Sequence, residues 1–410
     1  MQNCDIRDFG AVGDGETLNT AAIQAAIDAC GASGGGRVTI AGGRYLCGRI
    51  DLRSGVELHM EVDGVLLAST RGEDFPDIET DFWRTELAPR RNRRAFIYAE
   101  GCHDIAITGR GTIDCQGSRY MIPNPDQNSI WRYTRKGSDL PARMVFLIGC
   151  RDVLLEDVLL YEPCGGWSYW ICDCDRVTVE RIRIESNLDY PNADGLHINC
   201  SRDVRVSNST IYAGDDALIV RAYTGVLHKK TACERVSVTN CSLVSHCSAI
   251  RIAWINDYII RDCVFSNLTI ADSNSGIAIV LPEGGPAFGY TDDGGDATQI
   301  ERLSFQNIVM DRCHFEPVAV KIMKGNHVKA VRDLQFSQIQ SVSGVMPSLY
   351  GREDCRLERI RFSDCSFRQE RLDPQGAPRR TSNYFVNSQE APYFAHVEEL
   401  RLDGVSFSSL

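Results

Sequence analysis

Three aspartates and a histidine dominate the chemistry this sequence offers. Asp194 lies in Asn192-Ala193-Asp194-Gly195, Asp215 and Asp216 lie in Gly214-Asp215-Asp216, and His246 lies in Ser245-His246-Cys247. Carboxylates brought close together cannot all ionise with ease, so one keeps its proton near neutral pH and can act as an acid while another acts as a base. That split of roles is what cleavage of a glycosidic bond requires. Taken singly, either aspartate motif reads better as a structural turn, because Asn, Asp and Gly are ordinary turn residues. What decides between the two readings is whether the chain stacks the motifs together.

The elements around them suggest that it does. From about residue 102 a short alternating strand, a polar break and a second short strand recur: Asp152-Val153-Leu154-Leu155, Arg176-Val177-Thr178-Val179, Asp203-Val204-Arg205-Val206 and Arg235-Val236-Ser237-Val238. From Val153 to Val177, Val204 and Val236 the steps are 24, 27 and 32 residues, which suits one coil of about three strands and a loop of variable length. No helical pattern fills the gaps, so βαβ crossovers are excluded. The expected fold is all-β: a right-handed single-stranded parallel β-helix forming one domain over residues 1–410. Residues 1–50 hold the N-terminal cap and first coils, and residues 102–410 hold regular coils with groove-forming loops. Asn19 or Thr20 can start a capping helix with Ile23, Ile27 and Cys30 on one face. Asp194 and Asp215, 21 residues apart, then fall on neighbouring rungs roughly 4.8 Å apart along the axis.

Composition narrows the partners. A net charge of −11 argues against nucleic acid, which needs a clustered cationic surface. No apolar run is long enough to span a bilayer. Seventeen cysteines are scattered through apolar segments, where a reduced thiol acts as a small hydrophobe, and paired CxxC knuckles are missing, so neither a zinc site nor another cofactor is expected. A cytoplasmic setting is favoured, with a secreted or periplasmic one open if a leader has been removed.

The opening Asp8-Phe9-Gly10-Ala11-Val12-Gly13-Asp14-Gly15, the segment Gly43-Arg44-Tyr45-Leu46, the stretch Ile107 to Asp114 and the two aspartate motifs together resemble glycoside hydrolase family 28, the polygalacturonases and their relatives. The resemblance covers nearly the entire chain, with Ala193 where Thr is usual. It implies an inverting hydrolase of pectic or related acidic polysaccharides that works without metal. The Asp matching Asp215 would protonate the leaving oxygen, and those matching Asp194 and Asp216 would hold and activate water. His246 falls where the family has Gly-His-Gly. The family's Arg-Ile-Lys, which grips a galacturonate carboxylate, should fall near Gly276 to Val280, where neither cation is present. Arg221 and Arg251 are the candidates to take over that grip, with Lys321 and Lys324 behind them. Asn192, Trp254 and Tyr290 complete the expected substrate contacts, and Trp167, Trp170 and Tyr190 are further aromatic candidates. Asp292 to Asp296 reads as a solvated acidic turn rather than a calcium loop.

Three rivals stay open: a β-helix lyase using calcium, a non-catalytic carbohydrate-binding β-helix, and the same hydrolysis on rhamnogalacturonan or another glycan. Segments 73–94 and 116–140 are long enough to wall off one end of a groove, as exo-acting relatives require.

Overall fold

The computed structural model describes residues 2–88, 90–126, 132–137, 140–163, 165–282, 297–372 and 391–409. The chain is a right-handed parallel β-helix. Each coil contributes to three ladders, and every ladder pairing is parallel. One ladder runs from Ile50–Asp51 through Trp167–Cys172, Leu196–Asn199, Leu218–Arg221 and Ser248–Ile252 to Tyr393–Ala395. The other two follow it around the coil. Later they are spanned by the long bent strands Ile259–Ser273, Thr298–Cys313 and Val328–Ser343.

The repeat read from the sequence is the structural register, since Val153 pairs with Val177, Val177 with Val204 and Val204 with Val236. The polar break before each of these valines is a corner in the left-handed backbone region. Asp152, Arg176, Asp203, Arg235, Asp262, Arg302, Asp333 and Arg359 all have φ between 51° and 58°. Left-handed conformations are costly for side chains other than Gly, Asn and Asp. Here acidic and basic residues alternate down the column, and each Arg spans the Asp before it: Arg176 to Asp152 at 2.6 Å, Arg235 to Asp203 at 2.8 Å, Arg302 to Asp262 at 2.6 Å and Arg359 to Asp333 at 2.7 Å. Exposed pairs like these contribute little energy individually. A one-residue slip would break all of them, so they help to fix the register.

Inside, identical residues stack at rung spacing. Phe265, Phe305, Phe336 and Phe362 are successive register partners with ring centroids 4.8, 5.1 and 4.7 Å apart. At the N-terminal end the helix Thr20–Ala32 buries Ile23, Ala26, Ile27 and Cys30 against the first coils. Asn19 stands at its N-cap position without capping it, because its amide oxygen accepts from Val12 N at 2.7 Å instead. The one antiparallel strand pair among the described residues, Met121–Pro123 with Tyr133–Arg135, lies in the insertion after the third ladder's strand Thr112–Asp114. Met121 and Tyr133 from it pack with Tyr190 and Ala193, bracing the segment that leads into Asp194.

Candidate active site

Alternation along the first ladder decides which side chains meet the groove. Leu196, Ile198, Leu218, Val220, Ile250 and Ile252 point into the core, so His197, Asn199, Arg221 and Arg251 point out. Leu196 pairs with Leu218, and the bond from Gly195 N to Asp216 O at 2.9 Å carries the ladder upstream. The 22-residue offset therefore makes Asp216 the rung partner of Asp194, with Asp215 one residue before it. Only glycine fits at 195, where a Cβ would lie 2.2 Å from the Ala217 carbonyl oxygen of the next rung. Gly214 N donates to Ala193 O at 3.0 Å and ties the two motifs to each other, while Ser168 Oγ to Asp194 O at 2.7 Å and Ser245 Oγ to Asp215 O at 2.6 Å tie them to the rungs on either side.

Each carboxylate has its own surroundings. Asp194 meets His197 Nε2 at 2.9 Å through Oδ2. Asp215 accepts from Asn192 Nδ2 at 3.3 Å and from Asp216 N at 3.0 Å. Asp216 accepts from Ser248 N at 3.0 Å and meets Arg251, with Nε at 3.2 Å and Nη2 at 3.4 Å. A backbone donor and a guanidinium are the partners a carboxylate anion needs when it is only 9% exposed.

The expected site residues divide. Asp194, Asp215, Asp216, Asn192 and Arg251 come together. The guanidinium of Arg251 also lies 4.9 Å from the ring of half-buried Trp254, which places Trp254 beside the site. Arg221 lines the neighbouring cavity, but its charge is committed to fully buried Asp257, with Nε–Oδ2 at 2.7 Å and Nη2–Oδ1 at 2.8 Å. It therefore serves the fold of the 253–257 loop where the sequence suggested a carboxylate grip. His246 Nδ1 lies 3.6 Å from Asp189 Oδ1, and this contact, with Arg132 adding to it, holds the Asp189 carboxyl below its ordinary range. The side chain set against the Asp pair is instead Cys247, whose Sγ lies within 4.8 Å of an oxygen of each. These three could in principle ligate a cation, but one bound there would compete with the Arg251 guanidinium. Lys321 is buried against Glu316 at 2.6 Å. Tyr290 and the Asp292 to Asp296 turn lie outside the described residues.

Where Arg-Ile-Lys was sought, Ala278 and Val280 form a small outward apolar cluster with Ala319, and Ala278 is the rung partner of Arg251. Thus a guanidinium, that of Arg251 against Asp216, sits one rung earlier.

Beside Asp194, on the N-terminal side, lies a cavity of about 340 Å³. Its floor is Arg143, Trp167, Trp170 and His197. Leu87, Ala88 and Asn92 wall it on one side, and Arg135 belongs to the antiparallel insertion. Both long segments flagged in the sequence thus contribute to it. Trp167 is sandwiched between Arg143, 3.5 Å above its ring, and the imidazole of His197, 3.6 Å away and nearly parallel at 12°. Burial, with Arg143 and Arg221 nearby, depresses the His197 pKa well below 6.5, so the ring is neutral.

The family model for glycosyl hydrolases family 28 matches residues 30–343. The chain belongs to this family. Among relatives, a probable polygalacturonase of Vitis vinifera is 29% identical over 222 residues, covering 52% of this chain and 43% of that one. An exo-poly-alpha-D-galacturonosidase of Dickeya chrysanthemi is 25% identical over 257 residues, covering 54% and 42%. The chain thus spans less than half the length of these two curated relatives. In three dimensions it is similar to an exopolygalacturonase from Thermotoga maritima, with a TM-score of 0.74 at 18% identity, covering 99% of this chain and 92% of that one. At that identity the likeness concerns the fold.

Within this family 28 chain, the sequence reading passed over His197, Arg143 and Cys247. His197 had a usable signal, since it sits in the same outward phase as Trp170, its rung partner. Arg143 had one too, since it precedes Trp167 by the same 24 residues that separate Val153 from Val177, and the two are rung partners.

Proposed function

We propose that the protein is a glycoside hydrolase that releases sugar units from the end of pectic galacturonan or a related uronate-containing glycan. The observation that carries this reading is the stacking of Asp194 on Asp216, with Asp215 alongside, at the edge of a cavity walled by Leu87, Ala88 and Asn92 and by Arg135 of the antiparallel insertion. Asp215 gives its proton to the glycosidic oxygen as the bond to the anomeric carbon breaks. Asp194 and Asp216 hold a water on the opposite face, and one of them takes its proton as the oxygen bonds to carbon, inverting the configuration. Arg251, held at Asp216 and Trp254, lies beside the reacting centre and meets the substrate carboxylate in place of the absent Arg-Ile-Lys. Asn192 orients Asp215. Arg143 and Arg135 line the cavity that takes the terminal sugar, with Trp167 as its aromatic wall.

Among the described residues sixteen cysteines are free, fourteen of them buried, and this supports a reducing compartment for the protein.

The experiment is a screen of the purified protein against galacturonan, rhamnogalacturonan and other uronate oligosaccharides, with the Asp215→Asn variant alongside. Saturated products released one unit at a time by the wild type, and none by the variant, are expected. Unsaturated products would show elimination instead, and equal turnover by the variant would remove Asp215 from the chemistry.

A further inference from the structure

His197 carries no role in the mechanism above, yet its side chain is buried within the site. Its Nε2 faces Asp194 Oδ2 at 2.9 Å. Its ring lies flat on Trp167, which is held from the other side by Arg143. Its Nδ1 is buried and meets no hydrogen-bond partner among the described residues. These facts fix the tautomer. A neutral imidazole carries one proton, and a proton on Nδ1 would be a buried donor without an acceptor, which is costly. On Nε2 it points at a carboxylate oxygen. The opposite arrangement, with a proton on Asp194 donated to Nε2, would force the ring proton onto Nδ1 and meet the same cost.

We propose that His197 is a positioning residue that donates from Nε2–H to Asp194 Oδ2, holding Asp194 as an oriented carboxylate for its work on the water. The Arg143–Trp167–His197 stack sets the plane of the imidazole and hence the direction of that bond. Because Arg143, Trp167 and His197 all line the cavity, the sugar packs against the same stack that orients the base. This inference rests on the hydrolase reading above and assigns the part played by one more side chain within it.

The test compares two isosteres. Glutamine can place an amide N–H near the position of Nε2, whereas asparagine reaches only as far as Nδ1 and leaves Asp194 without its donor. His197→Gln is expected to keep kcat within about fivefold of wild type, and His197→Asn to lose about 10- to 100-fold in kcat with KM changed less than about threefold, the size of one charge-assisted hydrogen bond acting on the chemical step. Thermal unfolding of both variants separates this from loss of fold. The proposal is overturned if Gln and Asn lose kcat equally, if the loss falls on KM alone, or if kcat follows the melting temperature across the two. Asp215→Asn measured on the same substrate distinguishes the two levels. If that variant is inactive while both His197 variants match wild type, the positioning role fails and the hydrolase stands. If Asp215→Asn turns over normally, the hydrolase reading itself fails.

Discussion

Replacing Arg221 with Met tests whether that guanidinium serves the fold or the substrate. Arg221 meets Asp257 through contacts of 2.7, 2.8 and 2.9 Å, and Asp257 is fully buried. Beyond the guanidinium, Asp257 accepts from Trp254 N at 3.0 Å. Arg221→Met therefore strands a buried carboxylate on little more than a backbone donor, and removing one member of a buried pair costs about 3–5 kcal/mol. The double variant Arg221→Met, Asp257→Leu removes both charges and keeps the volume, so it should regain most of that loss. Denaturant midpoints of wild type, both single variants and the double variant measure this, with KM for a uronate oligosaccharide recorded on the folded proteins. Expected are a large drop for each single variant, recovery in the double, and KM within about twofold of wild type where the protein folds. A single variant as stable as wild type, with KM raised tenfold or more, would refute the structural assignment and return Arg221 to the substrate.

Other consequences can be checked in parallel. Because burial holds the His197 pKa well below 6.5, the unfolded chain takes up a proton below pH 6.5 that the folded chain refuses, so stability falls as pH falls from 6.5, by at most about 1.4 kcal/mol per pH unit for this group; His197→Gln should show a shallower decline between pH 6.5 and 5 in pH-dependent unfolding. Gly195→Ala, whose Cβ would lie 2.2 Å from the Ala217 oxygen, should lower the melting temperature and abolish turnover together, because the rungs carrying Asp194 and Asp216 must separate. Arg251→Lys keeps the charge but loses the planar fork that spans both oxygens of Asp216, so steady-state kinetics should show kcat/KM on a uronate substrate lowered about tenfold or more. Phe336→Ala opens a gap in the middle of the stacked phenylalanines and should cost about 3–5 kcal/mol by denaturant unfolding, with KM unchanged.

Much of the fold was legible because a β-helix writes its period into the chain. An Asp or Arg in the left-handed corner followed by an inward Val marks each coil, and Val153, Val177, Val204 and Val236 proved to be direct register partners. The cap helix was legible from Ile23, Ile27 and Cys30, all buried. The aspartates were legible for the same reason, since a coil-length spacing stacks them. What lay hidden were contacts made across rungs by side chains on loops of unequal length. Nothing in the sequence couples Arg251 to Asp216, 35 residues away, or Arg221 to Asp257 across 36. A guanidinium bound to a partner and one open to a ligand look alike in one dimension. His246 matched a position in the family pattern, yet its imidazole lies against Asp189, on a loop held by the packing of Tyr190 and Ala193 against the insertion and by Arg132 at Asp189.

The claim beneath all of this is that Asp194, Asp215 and Asp216 divide acid and base work across one glycosidic bond. Proton NMR of the first product released from a galacturonate oligosaccharide, read before mutarotation, tests it directly. A new reducing end of configuration opposite to that of the cleaved linkage is predicted, with the signal absent for Asp215→Asn. Retained configuration, or a product with an unsaturated ring, would contradict it.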